Sequence, residues 1–109
     1  MIKDYIGTSV PANFLLNVND EAVAVGGKIH FYGDHLVFKS HTFNVVCGTA
    51  TIKYSEIDKI IKSNTLGIVP NGLTIFMKDG KENRLVVNKR NDIIKFLNMK
   101  KKYTEKYNL

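Results

Sequence analysis

The chain has one cysteine, Cys47, and so cannot close an intrachain disulfide. A single thiol leans towards a reducing compartment, and with no neighbouring base or second thiol it is expected to be buried and inert. Tryptophan is absent and proline occurs twice, which excludes a proline-rich linker. No apolar run approaches the ~20 residues of a membrane helix. The N-terminus, Met1-Ile2-Lys3-Asp4-Tyr5, lacks the charged-then-apolar order of a secretory signal. There is no repeat, no phosphate-cradling glycine loop, no nucleophile elbow and no carboxylate pair at catalytic spacing. Nothing therefore supplies both a nucleophile and a base, and an enzyme is not expected. A soluble cytoplasmic protein is the expectation.

What is present fits one domain. With 109 residues, 44% hydrophobic and 24% charged, the chain has the composition of a globular fold large enough for its own core. The net charge of +6 is concentrated at one end. From Lys89 onward seven basic residues face only Asp92 and Glu105, whereas residues 1–88 carry nine basic and eight acidic side chains. The body is nearly neutral, so a general affinity for nucleic acid does not follow.

The segment Gly26-Gly27-Lys28-Ile29-His30-Phe31-Tyr32-Gly33-Asp34-His35-Leu36-Val37-Phe38-Lys39 reads as a β-hairpin. With Gly33-Asp34 as a two-residue turn of primed type, Phe31 faces Leu36 and Ile29 faces Phe38, and these four share one face. Residues 12–18 and 22–32 read as preceding strands, joined by a polar turn over 17–21. The Gly26-Gly27 pair predicts a bulge or sharp bend. Residues 41–48 read as a loop. Alternation of Ala50, Ile52 and Tyr54 predicts a strand over 49–54. Ser55 with Asp58 resembles a capping box and predicts one helical turn, followed by a strand over 58–64. Pro70-Asn71-Gly72 is turn chemistry, which predicts a loop over 67–72. A final hairpin, 73–77 with 81–88, requires the three-residue loop Lys78-Asp79-Gly80 to pair Leu73 with Leu85, with Gly80 in the left-handed conformation.

The chain ends in a helix. Asn88 or Asn91 is the expected N-cap, and Ile93, Ile94, Phe96 and Leu97 form one apolar face. Beyond Leu97 the stripe fades, which predicts fraying or a projecting basic tail over 98–109 that the fold does not need. The expected fold class is mainly β with one C-terminal α-helix: a small barrel, or two packed antiparallel sheets of about seven strands, capped by the amphipathic helix.

Gly27-Lys28-Ile29-His30-Phe31, Leu36-Val37-Phe38-Lys39, Ser40-His41-Thr42-Phe43-Asn44, residues 64–73, Lys78-Asp79-Gly80 and Val86-Val87-Asn88-Lys89-Arg90 together resemble the bacterial GRAM domain of the PH-like superfamily, over residues 12–97. The resemblance implies a helix-plugged barrel and a binding or adaptor module, often associated with membranes or lipids. One departure stands out: the family turn carries Thr-Asn and an arginine before the leucine, where this chain has Tyr32-Gly33 and His35.

Candidate sites are few. His30 and His35 lie diagonally on the polar hairpin face, without further ligands at metal spacing, and read as surface residues. The first connection, Asn17 to Glu21, is acidic and would repel an inositol phosphate; Lys28, Lys39 and Lys53 read equally as solvated face residues. The loop carrying Leu66, Ile68 and Val69 either caps the core or forms an exposed apolar tip that docks a partner or dips into a membrane, with Lys62 beside it to suit an anionic surface. Lys100, Lys101 and Lys102 either suit the negative end of the helix dipole or attract anionic lipid. Tyr103 and Tyr107 are too few for a nucleic-acid stacking platform. The expected function is an intracellular, non-enzymatic binding module without cofactor or metal, its partner a protein or an anionic membrane surface. A protein-only module using an exposed strand edge is the alternative.

Overall fold

The computed structural model describes residues 2–41, 49–65 and 69–107. Seven antiparallel strands form one curled sheet: β1 (Ser9–Val18), β2 (Glu21–Phe31), β3 (His35–Ser40), β4 (Thr49–Lys53), β5 (Ile57–Thr65), β6 (Val69–Met77) and β7 (Glu82–Val87). A 3-10 turn (Tyr54–Glu56) joins β4 to β5, and helix α1 (Arg90–Tyr107) ends the chain. The spatial order β4-β3-β2-β1-β7-β6-β5 is two meanders joined by the β1–β7 pair. The sheet therefore has edges at β4 and β5, as a curled half-barrel rather than a closed one.

The core is the concave face. Ile29, Phe31, Leu36 and Phe38 are each 1% exposed, and the register pairs Phe31 with Leu36 and Ile29 with Phe38. The alternation of the hairpin thus sets its register as the sequence predicts. The turn differs from expectation: neither Gly33 nor Asp34 has a positive φ. It is instead held from outside, since Tyr54 donates its backbone N–H to Asp34 O (3.1 Å) and its hydroxyl to Tyr32 O (2.8 Å). The primed geometry falls between β1 and β2, where Asn19 (φ 51°) and Asp20 (φ 64°) link paired Val18 and Glu21.

Gly26 and Gly27 do not form a bulge, because the β1–β2 register runs through them unbroken. Gly27 instead allows close strand approach: a Cβ there would lie 2.1 Å from Lys39 O. The expected capping box is also not made. The 3-10 turn begins a residue before Ser55, after Lys53, with no side-chain cap.

The expected loop over 67–72 is a correction in part, since Val69 to Gly72 belong to β6. Thr65 pairs with Val69 and Ser63 with Gly72, so β6 carries an extra residue at Pro70-Asn71. Turn-type residues here build a β-bulge, which accommodates a proline with no N–H to donate. Gly72 is needed for proximity, because its Cβ would meet Ser63 O at 2.8 Å. The β6–β7 loop is as predicted: Gly80 has φ 94°, its N–H donates to Met77 O, and Leu73 pairs with Leu85.

Helix α1 closes the open side of the sheet with Ile93, Phe96 and Leu97, all fully buried, and Ile94 at their margin. Lys89 (φ 56°), rather than Asn88 or Asn91, precedes the helix and accepts the first bond, from Ile93 N–H at 3.2 Å. Residues 2–8 complete the enclosure as a strap. Gly7 donates to Phe31 O, Phe31 donates to Thr8 O, and Tyr5 is buried against Phe31 and Phe96.

Candidate functional site

The helix does not fray at its lysines. It continues to Tyr107, so Lys100, Lys101 and Lys102 lie in its interior and the expected fraying or basic tail beyond Leu97 is a correction as far as Tyr107. The physical reason is that the core stripe continues in residues that do not read as apolar. Positions 93, 96, 97, 100 and 104 fall on one helical face. Thr104 is buried and donates its hydroxyl to Lys101 O at 2.9 Å. Lys100 is half-buried, with its ammonium over the rings of Tyr54 (5.7 Å) and Tyr103 (5.4 Å).

The three lysines accordingly have three different roles. Lys101 bonds Glu105 one turn on, at 2.7 Å, and holds that carboxyl below its ordinary pKa. Lys102 points away from the core on the same line as Lys95 and Lys106, at spacings of seven and four. Lys95, Lys102 and Lys106 have no carboxylate partner among the described residues. Beside this line lie Met99, Tyr103 and Tyr107, from 37% to 55% exposed. Ile2 of the N-terminal strap joins Met99, Lys95 and Lys102 around an open groove of about 350 Å³. A run of three lysines drew attention in the sequence. The stripe that actually faces outward is legible only as the spacing 95, 102, 106.

The β5–β6 hairpin is a separate place. Arg90, at the start of α1, donates through Nη1 to Ser63 O (2.9 Å) and Gly72 O (3.1 Å), so the hairpin is tied to the N-terminal end of the helix. Lys62 is exposed on edge strand β5, opposite Leu73. Leu66 and Ile68 lie outside the described residues, and Val69 is described only as backbone of β6, paired with Thr65. Ten residues separate Arg90 from Lys100, about 15 Å along the axis. Among the described candidates, Lys62 therefore lies apart from Lys100, Lys101 and Lys102.

Among the described residues no group of three or more His, Cys, Asp or Glu side chains comes together. His35 stacks on Tyr32, with centroids 4.7 Å apart, and bonds Asp34, whose carboxyl is held low by that contact. Cys47 lies outside the described residues. No helix among them is long and apolar enough to cross a membrane.

No protein-family model matches the chain, and no curated protein matches it. Solved structures do. The C-terminal domain of an unknown protein from Leishmania infantum superposes with TM-score 0.70 at 18% identity, over 87% of this chain and 82% of that one. Inner Membrane Complex Sub-compartment Protein 3 from Toxoplasma gondii superposes with TM-score 0.60 at 12% identity, over 87% of this chain and 77% of that one. At such identities the likeness is one of fold: a small β domain closed by a C-terminal helix.

Proposed function

We propose that this chain is a non-enzymatic binding module of the PH-like, GRAM type that docks peripherally on an anionic membrane surface through the outer face of α1. The helix-plugged sheet supports the PH-like reading. The observation that carries the membrane reading is the stripe Lys95, Lys102 and Lys106 beside Met99, Ile2, Tyr103 and Tyr107. Cations without carboxylate partners here flank apolar and amphipathic side chains that remain in water. Each lysine near an anionic surface contributes roughly 1 kcal/mol, so three reach only about the weak millimolar range. Partial burial of the apolar flank adds to this, and the association is reversible and salt-sensitive. Because anionic lipid is concentrated in the cytoplasmic leaflet, a cytoplasmic location follows from the same reading.

The strand-edge alternative is less favoured. Edge strand β5 carries a bulge between Ile57 and Lys59, with Lys59 and Lys62 along it, and edge strand β4 spans only five residues. A bulge, lysines and short length all discourage strand addition.

Co-sedimentation with phosphatidylcholine vesicles, with and without phosphatidylserine, tests the proposal. The expected result is binding only to the anionic vesicles, lost at high salt and in the triple variant Lys95→Gln, Lys102→Gln, Lys106→Gln. Absence of binding, or equal binding to both vesicles, would overturn the membrane reading.

A further inference from the structure

A second concavity lies on another side of α1, between the β2–β3 turn, the 3-10 turn and the helix. We propose that it binds a small organic monoanion with a planar or apolar body, a role separate from membrane docking. Its volume is about 370 Å³, within the range of small-molecule sites. Lys53 and Ser55 line it from the 3-10 side, Lys100, Tyr103 and Thr104 from the helix, and the Gly33-Asp34 turn completes the lining.

The walls are fixed before any ligand arrives. Fully buried Tyr54 ties the turn to the 3-10 segment through its bonds to Asp34 O and Tyr32 O, and packs edge-on against Phe96 of the helix at 6.0 Å. A preformed pocket loses little entropy on binding.

Charge sets the ligand class. The Lys100 ammonium is held over two tyrosine faces and, like Lys53, has no carboxylate within ion-pair distance among the described residues. Among the described residues Asp34 is the only acid on the lining, and its carboxylate bonds His35. The lining thus carries two positive charges and one negative, which favours a monoanion over a dianion. The half-buried Ser55 hydroxyl offers a neutral donor, and the Tyr103 side chain adds apolar surface for the uncharged part.

Phenylacetate and its uncharged isostere phenylacetamide test this directly, by amide chemical-shift titration of the full chain. Saturable shifts are expected at Gly33, Asp34, Ser55 and Tyr103, with phenylacetamide roughly tenfold weaker or worse, the value of one charge-assisted contact. Lys53→Gln and Lys100→Gln should each weaken phenylacetate by about tenfold, while Lys28→Gln, exposed on β2 and paired with Lys39 away from the Gly33-Asp34 turn, leaves it unchanged. Because Lys100 also covers Tyr54, Lys53→Glu serves as a second variant: Lys53 is exposed on the 3-10 side, so reversing its charge there should abolish binding without disturbing the core. Equal affinity for acid and amide, shifts centred on Ile2 and Met99, or no saturable shift would overturn the pocket assignment. Vesicle binding is read separately through Lys95, Lys102 and Lys106, none of which lines this pocket, although Tyr103 borders both faces.

Discussion

Two buried tyrosines of similar packing differ in one atom's surroundings. Tyr54 donates its hydroxyl to Tyr32 O at 2.8 Å, whereas the Tyr5 hydroxyl is buried without a hydrogen-bond partner among the described residues. A satisfied bond contributes about 1 kcal/mol, and an unsatisfied buried hydroxyl carries a desolvation cost of similar size. Tyr54→Phe should therefore lower stability by about 1 kcal/mol or somewhat more, and Tyr5→Phe should leave it unchanged or raise it slightly, measured as urea-denaturation midpoints. Both phenols are pushed above their ordinary value of 10.0, mainly by burial; the charge of Asp92 adds to the effect at Tyr5, and those of Asp34 and Asp4 at Tyr54. The folded chain thus holds these protons more tightly than the unfolded one. The associated stability is fully present below pH 10 and falls as pH rises beyond it, and the fall should be smaller in the Tyr54→Phe variant.

At the scale of elements, the same contrast between residue type and residue use decides what the sequence reveals. The β2–β3 and β6–β7 hairpins were legible because strict alternation leaves only one register that buries Ile29, Phe31, Leu36 and Phe38 or pairs Leu73 with Leu85. Pro70-Asn71-Gly72 misled because the same residues serve a turn or a bulge, and only the partner strand decides which. The end of α1 misled because Lys100 and Thr104 occupy core-facing positions through an aliphatic stem and a methyl group, which hydropathy does not register. The outward lysine stripe was hidden by the adjacent run Lys100 to Lys102. Glu105 now reports on this directly. Its carboxyl is lowered by the hydrogen bond from Lys101, a contact that exists only if the helix persists to that turn. A site-resolved titration should place Glu105 below the ordinary 4.5, and the contribution is present above that value and lost as pH falls through the lowered one. An ordinary Glu105 would mean a frayed end. Truncation after Met99 should lower the melting temperature measurably, because it uncovers Tyr54 and removes buried Thr104.

For the whole molecule, the enclosure of the core depends on three segments distant in sequence that meet at one side chain. Phe96 is fully buried, with its ring 5.6 Å from Tyr5 of the strap, 5.6 Å from Phe31 of the sheet and 6.0 Å from Tyr54 of the 3-10 turn. All three contacts are tilted or edge-on, the geometry that aromatic clusters favour. Truncating such a residue removes its transfer free energy and leaves a cavity, and the cost grows as the surroundings fail to collapse. Collapse is hindered here because the strap is pinned by backbone bonds to Phe31 and the 3-10 turn by Tyr54, so neither wall can move in without breaking hydrogen bonds. Phe96→Ala should accordingly cost about 3–5 kcal/mol in urea denaturation. Phe96→Leu keeps much of the volume and should cost clearly less. Since α1 carries both the outer lysine stripe and one wall of the Lys53–Lys100 pocket, the alanine variant should weaken vesicle and phenylacetate binding together, unlike the surface substitutions, which separate them. A near-neutral Phe96→Ala would mean that the helix rests on the sheet rather than closing it, and both sites would then lose their common scaffold.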